Sequence, residues 1–203
     1  MWLDCDQNEQ SWLDLRIGKI GGSSIGCIMA NYGKGFGEPA KELAVNIACE
    51  EITGAREENG YSNSHMDRGH EQEPYAREEY EKQRSVLVTN GGYYDNGRTG
   101  CSPDGLVGKY GLVEIKSVIR SVHYKNITRG SYDPAYKWQY IFNLRESERD
   151  WIDTISYCHT FPGDKKLCVY RICKDEVQDE FKQIEARLIQ FFALVDKIKS
   201  EIS

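Results

Sequence analysis

No stretch of this 203-residue chain comes near the roughly 18 uninterrupted apolar residues of a membrane-spanning helix, which excludes such a span. Met1-Trp2-Leu3-Asp4 opens acidic and lacks the basic and apolar regions of a secretory signal. The chain has no internal repeat and no low-complexity run. His65, His70, His123 and His159 never fall at a metal-ligand spacing such as H-x-x-x-H. Basic charge is not in excess: the net charge is −6, which argues against a uniformly basic nucleic-acid binder. Seven cysteines, an odd number in a chain with no signal, fit free thiols in a reducing compartment better than a disulfide framework. Nine residues separate Cys158 from Cys168 and four separate Cys168 from Cys173, too loose for an iron–sulfur group.

What is present is an ordinary globular composition, 39% hydrophobic and 29% charged, long enough for one self-sufficient core. Residues 1–203 are therefore expected to form a single domain. Charge is unevenly spread. Lys41–Lys82 holds eleven acids and five bases, whereas Lys116–Arg145 holds six bases and one acid, Asp133. Tyr124, Tyr132, Tyr136, Trp138, Tyr140 and Phe142 interleave the basic stretch. Such a pattern suits a phosphate backbone, but a solvated helical face with aromatics turned inward is the better reading. His123 lies in this stretch and is a candidate DNA contact.

The pattern along the chain predicts alternating elements. Residues 38–53 read as a helix begun by Pro39 and stopped by Gly54. Glu57–Ser64 reads as a loop, and 67–83 as a helix that Pro74 starts or kinks. Val86–Thr89, Asn90-Gly91 and Gly92–Tyr94 read as a hairpin. Leu112–Ser117, Trp151–His159 and Leu167–Ile172 read as strands, with a helix over 134–145. Val177, Phe181, Ile184, Leu188, Phe191, Val195, Ile198 and Ile202 recur at threes and fours, predicting one long helix that covers a sheet face. The fold class is α/β (α+β), with a central mixed sheet flanked by helices.

The sharpest chemical signal is Ser102-Pro103-Asp104-Gly105, eight further residues, then Glu114-Ile115-Lys116. Side chains alternate along a strand, so Glu114 and Lys116 share one face and Ile115 takes the other. A short or bulged connection would bring Asp104 beside Glu114. Two converging carboxylates repel unless a cation neutralises them. Oxygen-only ligands suit Mg²⁺, which activates water and stabilises charge on a phosphodiester. Taken singly, Asp-Gly is an ordinary turn and Glu-x-Lys an ordinary cross-strand pair; in this order they match the PD-(D/E)xK nuclease signature.

Further motifs stand in order along the chain. They are Trp12-x-x-x-Arg16-x-Gly18-x-Ile20-x-x-Ser23, Gly69-x-x-x-Glu73-Pro74-x-Ala76-Arg77 and Tyr136-x-x-Gln139. Together with the two strand motifs they resemble the phage λ-type exonuclease family, the YqaJ-like viral recombinases, over about residues 12–145. The resemblance implies a restriction-endonuclease-like core and a Mg²⁺-dependent 5′→3′ exonuclease. Such an enzyme digests one strand of linear duplex DNA from 5′-phosphorylated ends and leaves 3′ tails for strand annealing. It implies Asp104, Glu114 and the Ile115 carbonyl as central Mg²⁺ ligands, with Glu73 as a further carboxylate near a second ion. Mn²⁺ is expected to substitute. Lys116 is implied as the catalytic lysine, and Gln139 as the residue that fixes it or the water. Arg16 and Ser23 are implied as the 5′-phosphate pocket, and Met66 as an apolar wedge between the strands. Each also has a plain alternative: Glu73 an ion pair with Arg77, Arg16 and Gln139 surface positions, Met66 a core or loop residue. Asp95 lies one residue off the spacing of a further family acid and is not assigned.

The resemblance further implies a homotrimeric ring around DNA, a single-strand annealing protein as partner, and a bacterial host's cytoplasm as location. An acidic outside and a basic channel would reconcile the net charge with DNA binding. Two other readings stay open. One is an endonuclease or junction resolvase with the same core, which does not need Arg16 or Ser23. The other is a DNA-end binding module with no turnover.

Overall fold

A computed structural model describes residues 1–7, 9–56 and 64–203, the side chains of 64–68 and 70 excepted. In chain order the elements are β1 (Trp2–Leu3), α1 (Gln10–Leu15), α2 (Ile25–Met29), α3 (Glu38–Thr53) and α4 (Ser64–Arg84). Four short strands follow, β2 (Val88–Thr89), β3 (Tyr93–Asn96), β4 (Thr99–Cys101) and β5 (Gly105–Val107), then the longer β6 (Gly111–Ser117). Next come α5 (Arg120–Arg129), α6 (Lys137–Glu146), β7 (Trp151–Tyr157), β8 (Leu167–Cys173) and α7 (Gln178–Ile202). Helix α3 has the predicted bounds, with Pro39 in its first turn and Gly54 closing it at φ 66°. The predicted loop over Glu57–Ser64 lies outside the described residues, save Ser64, which opens α4. Pro74 sits inside α4 without ending it.

The main sheet runs β2-β5-β6-β7-β8, and β6 with β7 is its parallel pair. The other neighbours are antiparallel, so the sheet is mixed, as the sequence predicts. The crossover between β6 and β7 carries α5 and α6, the connection a parallel pair requires. Alternation along the strands divides the core. Leu112, Ile152 and Ile172 pack with Ile141 and Phe142 of α6 and Ile184 and Leu188 of α7. Val113, Ile115, Ile155 and Tyr157 face the other way, against Ala76 and Tyr80 of α4. Helix α7 was expected to lie on the sheet. Its Ile184 and Leu188 share the core of that face, and it also lies along α3 and meets α2 and α6.

The predicted hairpin around Asn90-Gly91 does not form. Strand β2 pairs with β5, whereas β3 pairs with β1 and β4 in a separate three-stranded sheet. The glycines explain the separation. A methyl group at Gly91 would strike the Pro103 carbonyl, and one at Gly92, held at φ 54°, the Leu3 carbonyl. The segment that resembles a two-residue turn is threaded between other backbones, and it delivers Val88 and Tyr93 to different layers.

Candidate active site

Strand β6 presents Glu114 and Lys116 on its α6 side, with Lys116 Nζ 3.0 Å from Glu114 Oε1. Ile115 packs against the α4 side, as alternation requires. Asp104 stands one residue before β5, whose Gly105 pairs with Val113. Its Oδ2 accepts the backbone N–H of Ile115 at 2.6 Å. Asp104 and the Glu114–Lys116 strand are thus joined directly. Gly105 is required there, since a methyl group would collide with the Val88 side chain.

Helix α4 brings Glu73 and Arg77. The Arg77 Nη2 donates to the Asp104 carbonyl at 2.5 Å and lies 3.6 Å from Glu73 Oε1. The i,i+4 pair with Arg77 therefore forms, and Arg77 links Glu73 to the Asp104 backbone. Helix α6 brings Gln139, whose Nε2 donates to Glu114 Oε1 at 2.5 Å. One turn later Asn143 Nδ2 donates to Glu114 Oε2 at 2.9 Å. The sequence reading missed Asn143, although its i+4 spacing from Gln139 places both on one helical face. Tyr136 adds its ring 5.0 Å from Lys116 Nζ.

The charges in this cluster do not balance. Burial and the nearby Asp104 push both Glu73 and Glu114 up to about 7. Burial alone would pull the Lys116 ammonium down, but Glu114 and Asp104 outweigh it and hold it above its ordinary value. Among the described residues no three Asp, Glu, His or Cys side chains are drawn tightly enough together to hold an ion as they stand. The donor chemistry nevertheless fits a hard divalent cation. The donors are oxygens alone, and the cluster lacks the positive charge that would keep its carboxylates ionised.

The N-terminal motif meets the same cluster. Trp12 Nε1 donates to Ser102 Oγ at 2.7 Å, linking α1 to the residue two before Asp104. Arg16 lies over the Trp12 ring at 4.0 Å and beside Gly21. Ile20, fully buried, bridges to Thr99 of β4 and pins the following turn. Within that turn Ser24 Oγ accepts the Gly21 N–H and donates to the Gly21 carbonyl. Ser23 stands exposed on it. Gly22 packs against Gln139 and Asn143.

The remaining candidates fall elsewhere. The Met66 side chain lies outside the described residues. Asp95 pairs with Lys19 at 2.7 Å. His123 is not a DNA contact: it is fully buried, with Nδ1 2.8 Å from Ser156 Oγ and Nε2 2.7 Å from the Lys165 carbonyl. One ring nitrogen ties α5 to β7 and the other ties it to the β7–β8 connection. Tyr140 and Phe142 of the basic stretch are core residues, while Tyr124 is exposed. All seven cysteines are free thiols.

A sequence model of the YqaJ-like viral recombinase domain matches residues 11–150. The chain belongs to that family. Among solved structures, an alkaline exonuclease (LHK-Exo) from Laribacter hongkongensis is 29% identical, with a TM-score of 0.79 over 96% of this chain and 98% of that one. The same protein in complex with dAMP gives 30% identity and a TM-score of 0.80 over the same shares. A phage-related exonuclease from Haemophilus somnus 129PT is 15% identical, with a TM-score of 0.68 over 91% of this chain and 96% of that chain, and shares the fold. A search of curated proteins gives no match. This YqaJ-like chain therefore has the core that the ordered motifs lead one to expect, and its β6, α4 and α6 supply the polar cluster. No helix among the described residues is long and apolar enough to cross a membrane.

Proposed function

We propose that this YqaJ-like protein is a Mg²⁺-dependent exonuclease that digests one strand of linear duplex DNA from its 5′-phosphorylated end. The family and the alkaline exonuclease relatives support a DNA exonuclease. The observation that carries the finer reading is a juxtaposition. Gly22, in the turn bearing Ser23 and flanked by Arg16, packs on the two amides that hold Glu114. A group held at the turn would lie beside the carboxylates.

Asp104, Glu114, the Ile115 carbonyl and Glu73 would hold Mg²⁺, in two sites, with Mn²⁺ able to substitute. The ions supply an activated water and offset charge on the phosphodiester. Lys116 and Gln139 share Glu114 Oε1. A cation held by Glu114 would compete with the ammonium for that oxygen, and Lys116 would then be free to face the attacking water and the scissile phosphate. There it would position the nucleophile or offset developing charge, while Gln139 would hold Glu114. Arg16 offers a guanidinium fork, steadied by the Trp12 face, and Ser23 a hydroxyl for the terminal phosphate. The family resemblance extends the proposal to a homotrimeric ring around DNA, a single-strand annealing partner that takes the 3′ tail, and a role in recombination in a bacterial cytoplasm.

One plasmid in three forms tests this reading: supercoiled, linear with 5′-phosphate and linear with 5′-hydroxyl, each with Mg²⁺ and with EDTA. Rapid Mg²⁺-dependent loss of the phosphorylated linear form, with the circle intact, is expected. Cleavage of the circle would replace the proposal with an endonuclease. No cleavage of any form would leave a binding module.

A further inference from the structure

Asn143 belongs to none of the sequence motifs, yet it is only 1% exposed and touches both halves of the site. Its Nδ2 donates to Glu114 Oε2 at 2.9 Å. Its Oδ1 is buried and has no hydrogen-bond partner. That oxygen faces Gly22, where an added methyl group would land on it and would also come within 3.3 Å of Gln139 Cγ. Reversing the amide would give Oδ1 a new environment but would set it against the Glu114 carboxylate, acceptor against acceptor. Native proteins rarely leave a buried acceptor unpaired, and such a group calls for an explanation. Here the explanation is at the other end of the amide, whose Nδ2 holds a carboxylate only 2% exposed.

We propose that Asn143 is a positioning residue that fixes Glu114 relative to the Gly21–Ser24 turn, so that the carboxylates and the end of the DNA strand keep one spacing. This rests on the exonuclease reading above. The amide is neutral, so it orients Glu114 without changing the charge available to a cation. It occupies Oε2 and leaves Oε1 to Lys116 and Gln139. Gly22 completes the device: with no side chain it lets the turn close onto the amide. Its backbone is not in the left-handed region, so alanine there meets a contact and no backbone strain.

A double-mutant cycle on the full chain, Gly22→Ala and Asn143→Ser singly and together, tests the coupling. Three quantities are read: kcat and KM on 5′-phosphorylated linear duplex, and Mg²⁺ affinity by titration calorimetry without DNA. Partners that orient metal-binding groups typically contribute about 10- to 100-fold. Each single variant is expected to lose about that factor in kcat, to keep its KM within about two-fold, and to bind Mg²⁺ about ten-fold more weakly. Gly22→Ala should cost far less once Asn143 is Ser, because the oxygen it strikes is gone and only the 3.3 Å approach to Gln139 Cγ remains. An equal loss from Gly22→Ala in both backgrounds, or unchanged Mg²⁺ affinity in Asn143→Ser, overturns the proposal. If Asn143→Ser does not fold, the Gly22→Ala titration decides alone, and unchanged Mg²⁺ affinity again overturns it. A wild-type chain that fails to digest linear duplex defeats the exonuclease reading instead, while the calorimetry still tests the tie between Asn143 and Glu114.

Discussion

Glu114 and Asp153 stand on adjacent strands of one sheet, Asp153 beside Val113 in the β6–β7 register. Both are buried, at 2% and 0% exposure, and both accept several hydrogen bonds. Asp153 takes Arg171 Nε and Nη2 at 2.7 and 2.8 Å and the Tyr80 hydroxyl at 2.7 Å. One carboxylate there meets one guanidinium, and Arg171 lies over the Trp151 ring at 3.7 Å. Around Glu114 the sum is different. Asp104 and Glu73 crowd the same space, and Lys116 and Arg77 must serve all three. Burial and hydrogen bonding are common to the two clusters, so neither marks a reactive site by itself. The surplus of negative charge separates them. It is stabilising only if a cation or a substrate phosphate's metal comes to meet it.

The largest effect that would sharpen this contrast is the loss of Lys116. Lys116→Ala should lower kcat about a thousand-fold while leaving DNA affinity nearly unchanged, because the lost group acts in the transition state. Single-turnover rates beside gel-shift binding would show it, and a near-normal rate would remove Lys116 from the chemistry. Next in size is a stability difference of opposite sign. Asp153→Asn should destabilise the fold by about 3 kcal/mol, at the low end for a broken buried pair because Arg171 is partly exposed and can rehydrate. Glu114→Gln should be neutral or stabilising at pH 8 in EDTA, since it removes a buried charge that has too few counter-charges. Urea unfolding of both variants gives the comparison, and equal destabilisation would erase it.

A smaller effect is expected at the turn. Arg16→Ala should slow digestion about ten-fold more on 5′-phosphorylated than on 5′-hydroxyl ends, the order of one charge-assisted contact. Equal losses on both ends would argue against the phosphate pocket. The smallest effect is a pH dependence of stability. Glu73 and Glu114 are raised to about 7, so between about pH 5 and 7 the folded, metal-free protein holds protons that the unfolded chain has released. Its stability should therefore fall as pH rises through that window and level off above it. Melting curves in EDTA from pH 5 to 8 should show the fall, and Glu114→Gln should flatten it. An unchanged slope in that variant would mean that the buried Glu114 carboxyl is not the source of the fall.

Much of the β6 chemistry could be read from local pattern. The alternation Glu114-Ile115-Lys116 sets faces within three residues, and the Asp104 spacing needs only a short connection to bring it beside them. Gln139 and Glu73 came into view through the order of motifs along the chain. The misreadings have a common origin. Asn90-Gly91 has the composition of a hairpin turn, but its glycines answer close approaches by Pro103 and Leu3, residues distant in sequence. His123 sits among basic residues in the chain, yet in space it bonds Ser156 and the Lys165 carbonyl. Arg187 of the terminal helix is singled out by no local pattern. It is 2% exposed and donates to the Ile28 and Lys34 carbonyls, holding the segment that follows the Gly21–Ser24 turn.

By itself the sequence determined the class of the fold, the face each β6 residue takes, the span of α3 and the apolar stripe of α7. These depend on periods of two and 3.6 residues and on capping, which act within a few residues. Only the tertiary structure decided which strands pair, which buried carboxylate is balanced and which is not, and that Asn143 and Gly22 meet. Those outcomes depend on groups dozens of residues apart sharing one desolvated space. There a charge is stabilised or penalised by all its neighbours at once, and no local pattern records that sum.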